Sequence, residues 1–179
     1  MSREFAQTPM PSYAMADVNQ LSESEFVQLL GAVFEETPVV AQRAWAARPF
    51  ASVDALHRAM VAVVAEEMTR SEQIELIRAH PELGAKQKMA AASVGEQAGA
   101  GLNDTSDELY RRILDLNGRY REHFGFPFVM AVKGQTRESI VAALEERLEN
   151  ERENEVVRSL SEIYKIARFR IANIISDAA

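Results

Sequence analysis

Repeatedly in this chain a serine or threonine stands three residues ahead of a glutamate, and apolar residues then recur every three or four positions. That pattern is the capping box, in which a hydroxyl and a carboxylate each satisfy a backbone N–H left open at a helix start. It steers the chain towards helices joined by short connections. Ser22 and Glu25 open a helix carrying Phe26, Leu29, Leu30 and Val33, and Thr69 and Glu72 open one carrying Ile74 and Ile77. Ser93 and Glu96 repeat the box, with Gly99 or Gly101 to end a short helix. Thr37-Pro38 reads as an N-cap with proline in the first turn, opening a helix through Trp45. Ser52 caps a helix with Leu56, Met60, Val63 and Val64 along one side. Ser106 begins the strongest pattern, in which Leu109, Ile113, Leu116, Tyr120 and Phe124 keep helical spacing. Thr136 starts another helix with Ile140, Leu144 and Leu148, and the last runs from Glu153 to Ile175. Pro81 stops the Thr69 helix at His80 or just before it, because proline disfavours helical backbone in the residue ahead of it. Only Phe126 to Val132 could be a strand, and a lone strand has no partner.

The expected fold class is therefore all-α, a single compact multi-helix domain over residues 17–179, preceded by a flexible N-terminal arm over 1–16 that contains Pro9 and Pro11. A chain of 179 residues with 47% hydrophobic residues can bury a substantial core. The net charge of −7 disfavours nucleic acid and anionic membrane as partners. No stretch approaches the ~18 apolar residues of a membrane span, and the first residues lack the apolar run of a secretory leader, so a cytoplasmic protein is expected. The chain has no cysteine, which excludes disulfides, thiolate metal sites and a cysteine nucleophile. HExxH, P-loop, GxGxxG and GxSxG patterns are absent and the histidines are far apart in sequence, so neither a metal nor an organic cofactor is expected.

Four features could carry chemistry, and each has a plainer explanation. His57 and His123 read as rim or solvated side chains, whereas His80 sits at a helix end before proline and a glycine turn. Its backbone would orient the ring for acid–base work; equally, the ring could cap the last carbonyls of its helix. Ser93-Val94-Gly95-Glu96-Gln97 is a helix start that could receive an anion, or a capping box and nothing more. Arg170 lies on one stripe with Ile163, Ala167 and Ile174, where a guanidinium needs either an internal carboxylate or a ligand anion. Gly125-Phe126-Pro127-Phe128-Val129 is apolar but non-helical, so it is either core or a stretch whose backbone groups meet a polar ligand.

These pieces occur in an order that resembles one family. His80-Pro81-Glu82-Leu83-Gly84, then Ser93-Val94-Gly95-Glu96-Gln97, Ala100-Gly101-Leu102, Leu116-Asn117, Tyr120, Phe124-Gly125-Phe126-Pro127-Phe128-Val129 and Arg170-Ile171 are similar to the 2-oxo-4-hydroxy-4-carboxy-5-ureidoimidazoline (OHCU) decarboxylases of the urate-to-allantoin pathway. Earlier in the chain, Phe26 to Glu35 and Ala44-Trp45 match as well, so the likeness runs from Asp17 to Ile175. Two departures stand out: a shorter stretch between His80 and Ser93 than in some relatives, and Val39 where an aromatic is usual. The resemblance implies an all-helical homodimer without metal or cofactor that decarboxylates OHCU to (S)-allantoin. It implies His80, Glu96 and Arg170 as catalytic residues, with Arg147 as the alternative anchoring arginine. Pro81, Ser93, Val94, Gly95, Glu96, Gln97, Phe128, Val129, Met130, Ala131 and Val132 are implied to line the substrate pocket. The competing expectation is a helical module that binds allantoin, or a related purine catabolite, without turnover.

Overall fold

A computed structural model describes residues 13–84, 97 and 108–177. Among these residues the architecture is all-α, as the capping pattern predicts. The helices are α1 (Met15–Val18), α2 (Glu23–Leu30), α3 (Val39–Ala44), α4 (Val53–Ala62), α5 (Arg70–Ala79), α6 (Glu108–Phe124), α7 (Arg137–Leu148) and α8 (Arg152–Ile174). A 3₁₀ turn, Trp45–Ala47, follows α3, and a π-helical turn, Val63–Glu67, follows α4. The expected Ser93 helix and the Ser106 start lie outside the described residues. The chain divides into two compact units that alternate along the sequence.

The described part of the first unit comprises residues 13–34, 38–67 and 167–177. Ser22 and Glu25 cap α2 as predicted: Glu25 N–H donates to Ser22 Oγ (3.3 Å) and Ser22 N–H to Glu25 Oε2 (2.9 Å). The helix then buries Phe26 and Leu30, and Phe26 stacks on Phe50 with ring centroids 6.1 Å apart. Of the arm expected over 1–16, residues 13–16 are described. Tyr13–Ala14 (β1) pairs in parallel with Ile175–Ser176 (β2), and the Met15 side chain is buried. Asp177 Oδ1 accepts Val53 N–H (2.6 Å) at the start of α4, a helix end that favours negative charge.

The second unit comprises Glu35–Thr37 and Met68–Ile166. Thr69 and Glu72 cap α5, Glu72 Oε2 accepting Thr69 N–H at 2.7 Å. Along α6 the buried residues are Tyr110, Ile113, Leu116, Asn117, Tyr120 and Phe124. The sequence pattern starts that face on Leu109; the structure buries Tyr110 instead, and it adds a polar residue, Asn117, to the apolar side. Tyr120 packs against Phe124 at 4.6 Å and edge-on to Phe128 at 5.2 Å. No strand forms from Phe126 to Val132. That stretch is non-helical core whose backbone is engaged by side chains rather than by a neighbouring strand.

Candidate active site

His80 is the C-cap of α5, with extended backbone (φ −75°, ψ 137°) that the following proline enforces. It is only 5% exposed. Its N–H reaches Ile77 O at 3.1 Å, and its Nδ1 lies 2.9 Å from Leu76 O. A carbonyl only accepts, so Nδ1 is the donor and carries hydrogen; in the neutral ring, Nε2 then holds the lone pair. The ring thus caps its helix, and the cap fixes which nitrogen of the neutral ring can take a proton.

The turn after His80 is held by side chains. Leu83 O accepts Asn117 Nδ2–H (2.7 Å), and Gly84 O accepts the Tyr110 hydroxyl (2.6 Å). Gly84 N–H donates to Gln97 Oε1 (2.9 Å), and Gln97 Nε2 faces Glu82 O at 3.5 Å. The Glu82 carboxylate accepts Arg121 Nη1 at 3.1 Å. Gly84 has φ +75°, and a Cβ there would meet Tyr110 Cε2 at 3.2 Å, so glycine alone suits the position. Of the expected pocket residues on the Ser93 segment, Gln97 is described, and its amide is engaged with this turn. Ser93, Val94, Gly95 and Glu96 lie outside the described residues.

The other expected pocket stretch, Phe128 to Val132, is pinned by charged groups. Val129 O accepts Arg147 Nη1 (2.8 Å), and Ala131 N–H donates to Glu162 Oε2 (2.9 Å). Phe128, Val129 and Val132 are buried, whereas Met130 and Ala131 are partly accessible. Glu162 also meets Lys165 (2.7 Å) and Arg158 (3.4 Å). Burial pushes its carboxyl up, but Lys165, the Ala131 N–H and Arg158 outweigh that and hold it below its ordinary value.

The two candidate arginines have different surroundings. Arg147, 3% exposed, pairs with Glu155, which is fully buried at 0%. It also donates to Ser159 Oγ (3.1 Å) and faces Tyr120 Oη at 3.4 Å, and its guanidinium lies 4.4 Å from the Phe128 ring centroid. Tyr120 donates to Glu155 Oε1 at 2.6 Å. Burial drives the Tyr120 phenol well above its ordinary pKa, with the Glu155 bond reinforcing that shift and Arg147 opposing it. Arg147 is therefore committed on every nitrogen to its own unit. Arg170 belongs to the first unit, 5% exposed, with Nη1 donating to Val33 O at 3.3 Å.

The structure thus brings His80, Pro81 and Gln97 to one clamped turn, and it holds Phe128 to Val132 in the same unit. The sequence reading did not single out Tyr110, and it named Asn117 only within the Leu116-Asn117 match, not as a clamp. The signal available was a polar residue, Asn117, four positions after Ile113 and three before Tyr120 on an apolar face. Among the described residues no group of three His, Cys, Asp or Glu is arranged to hold a metal ion. Nor is any described helix long and apolar enough to cross a membrane.

A profile of the family described as OHCU decarboxylase matches residues 19–172. The chain is 42% identical over 168 residues to a 2-oxo-4-hydroxy-4-carboxy-5-ureidoimidazoline decarboxylase of Haloferax volcanii, covering 94% of this chain and 99% of that one. It is 45% identical over 165 residues to the uric acid degradation bifunctional protein PucL of Bacillus subtilis, covering 92% of this chain but only 33% of that longer protein. Among solved structures, an (S)-allantoin synthase superposes with a TM-score of 0.71 at 27% identity, covering 90% of this chain and 54% of that chain. The profile and the match along nearly the whole Haloferax volcanii enzyme agree with the family resemblance read from the sequence, and this chain belongs to the OHCU decarboxylase family.

Proposed function

We propose that this chain decarboxylates 2-oxo-4-hydroxy-4-carboxy-5-ureidoimidazoline to (S)-allantoin in urate degradation, with His80 as the proton carrier. As a member of the OHCU decarboxylase family it is a carboxy-lyase. The reaction breaks the bond between the carboxylate and the ring carbon bearing the hydroxyl. CO2 leaves, and the ring imine takes up the electron pair, its nitrogen gaining a proton from water. The hydroxyl gives up its proton to become a carbonyl, and a proton added on one face of the ureido-bearing carbon sets the stereocentre. A group that accepts the first proton and returns the second suffices, and a neutral imidazole with a defined lone pair can do both. The observation that carries this reading is the His80 ring itself, buried and with Nδ1 committed to Leu76 O, which leaves Nε2 as the basic nitrogen.

Arg170 anchors the anionic part of the substrate, as a guanidinium does best. Glu96 orients His80 or accepts from the ureido group, Gln97 lies beside it, and Pro81, Ser93 to Gly95 and Phe128 to Val132 complete the pocket. The protein acts as a cytoplasmic homodimer without metal or cofactor; the dimer rests on the family resemblance, and a monomer mass in sedimentation would remove it. The test is stereochemical. With substrate generated in situ from urate, wild-type protein is expected to produce optically active allantoin, followed by circular dichroism. His80→Ala is expected to cut that rate about 100-fold or more while staying folded. A racemic product formed at the spontaneous rate with wild-type protein would sink the activity; full rate in His80→Ala would sink the role of His80.

A further inference from the structure

The five residues from His80 to Gly84 leave a helix, pass through a proline and turn back, so beyond the His80 N–H, which still bonds Ile77 O, their backbone groups have no helix or sheet to bond with. Yet this turn is braced at successive positions: Glu82 through its carboxylate, Leu83 through its carbonyl, and Gly84 through both backbone groups. Three of the braces, Tyr110, Asn117 and Arg121, stand on α6 at helical spacing and so share one face. Asn117 is the unusual member. It is 1% exposed, it spends its Nδ2–H on Leu83 O, and its Oδ1 is buried with no hydrogen-bond partner among the described residues. A buried acceptor left unsatisfied is costly, and leucine, of similar volume, would avoid that cost. Packing therefore does not account for asparagine here; the one thing it adds is the donor that holds Leu83 O.

We propose that Asn117 and Tyr110 are positioning residues for the decarboxylation: they act through the backbone of the His80 turn, holding the imidazole where it transfers its proton. This rests on the proposed role of His80. Among the described residues, their side chains donate to carbonyls three and four positions beyond it. The ring is held from the other side by Leu76 O, so the turn and the helix end grip His80 between them. Loosening one grip lets the ring tilt and Nδ1 release its hydrogen bond. A displacement of about 1 Å at a reacting group can cost about 100-fold in rate.

The test compares Asn117→Leu and Tyr110→Phe, the second removing a single hydroxyl and therefore the safer variant for folding. Each is expected to lower kcat by about 10- to 100-fold with KM little changed. The ring nitrogens of His80 are followed by long-range ¹H–¹⁵N NMR, with the signal assigned by its loss in His80→Ala. Wild-type protein should show one tautomer, hydrogen on Nδ1, and both variants should move towards a mixture. Wild-type kcat in a folded variant overturns the proposal. So does a fall in kcat with the His80 ring signals unchanged, because the effect would then not pass through the histidine. If Asn117→Leu fails to fold, Tyr110→Phe decides alone. Full activity of His80→Ala would instead defeat the reading on which the proposal rests, and the NMR comparison would still report whether the clamp controls the ring.

Discussion

Two non-helical stretches of the second unit face the same difficulty and meet it with different chemistry. The turn from His80 to Gly84 and the run from Phe126 to Val132 both carry peptide groups that no regular element satisfies. The backbone of the turn is held by neutral groups, the Asn117 amide, the Tyr110 hydroxyl and the Gln97 amide. The run is held by ions, Arg147 on Val129 O and Glu162 on Ala131 N–H. Neutral hydrogen bonds are directional and each contributes modestly, and neither pH nor salt changes them near neutrality. Charged ones are stronger, but they oblige the protein to bury compensating charge, here Glu155 against Arg147. The comparison teaches that a buried arginine in this chain is not by itself a sign of a ligand, because Arg147 is consumed in holding its own core.

The largest effect should come from breaking the ionic brace. Arg147→Met leaves Glu155 buried beside Tyr120 without its counter-charge, and urea unfolding should show a loss of about 3–5 kcal/mol. A loss below 1 kcal/mol would mean that the pair contributes little to holding the run. The neutral brace should cost less. Gln97→Leu strands the Gly84 N–H, and the expected loss is about 1–2 kcal/mol, the same at pH 4 and pH 7. A loss that changed with pH would remove the distinction between the two braces.

The smallest effect should be the one that depends on pH. Glu162→Gln keeps an acceptor for Ala131 N–H but gives up the ion pairs with Lys165 and Arg158, both half-exposed, so it should cost no more than about 1 kcal/mol at pH 7. The folded-state pKa of Glu162 is lowered, so its contribution is complete above the pKa of the unfolded chain. It is lost as pH falls through the lowered value, and the stability gap between wild type and Glu162→Gln should close over that acid range. A constant gap would show that the carboxylate charge plays no part.

Much of this was legible without coordinates. Capping boxes are local, so Ser22 with Glu25 and Thr69 with Glu72 mark their helices correctly from four residues each. The turn at His80 follows from proline alone. Distant partners are not written in any local window. Whether Phe126 to Val132 pairs as a strand depends on a neighbour, and the neighbours are side chains from α7 and α8. Asn117 belongs to the apolar face of α6 because Leu83 O lies opposite, which spacing cannot say.

The sequence by itself determined the helices, the place where α5 must end, and, through the order of its motifs from His80 to Arg170, the family. Those depend on hydrogen bonds within a few residues and on residue types in line. Only the tertiary structure decided which polar groups meet: that the His80 ring caps its own helix with Nδ1, that Arg147 is answered by Glu155, and that Asn117 and Tyr110 grip the turn. Each of these joins groups whose pairing is favourable only once water is excluded, and what excludes water is the packing of elements far apart in the chain.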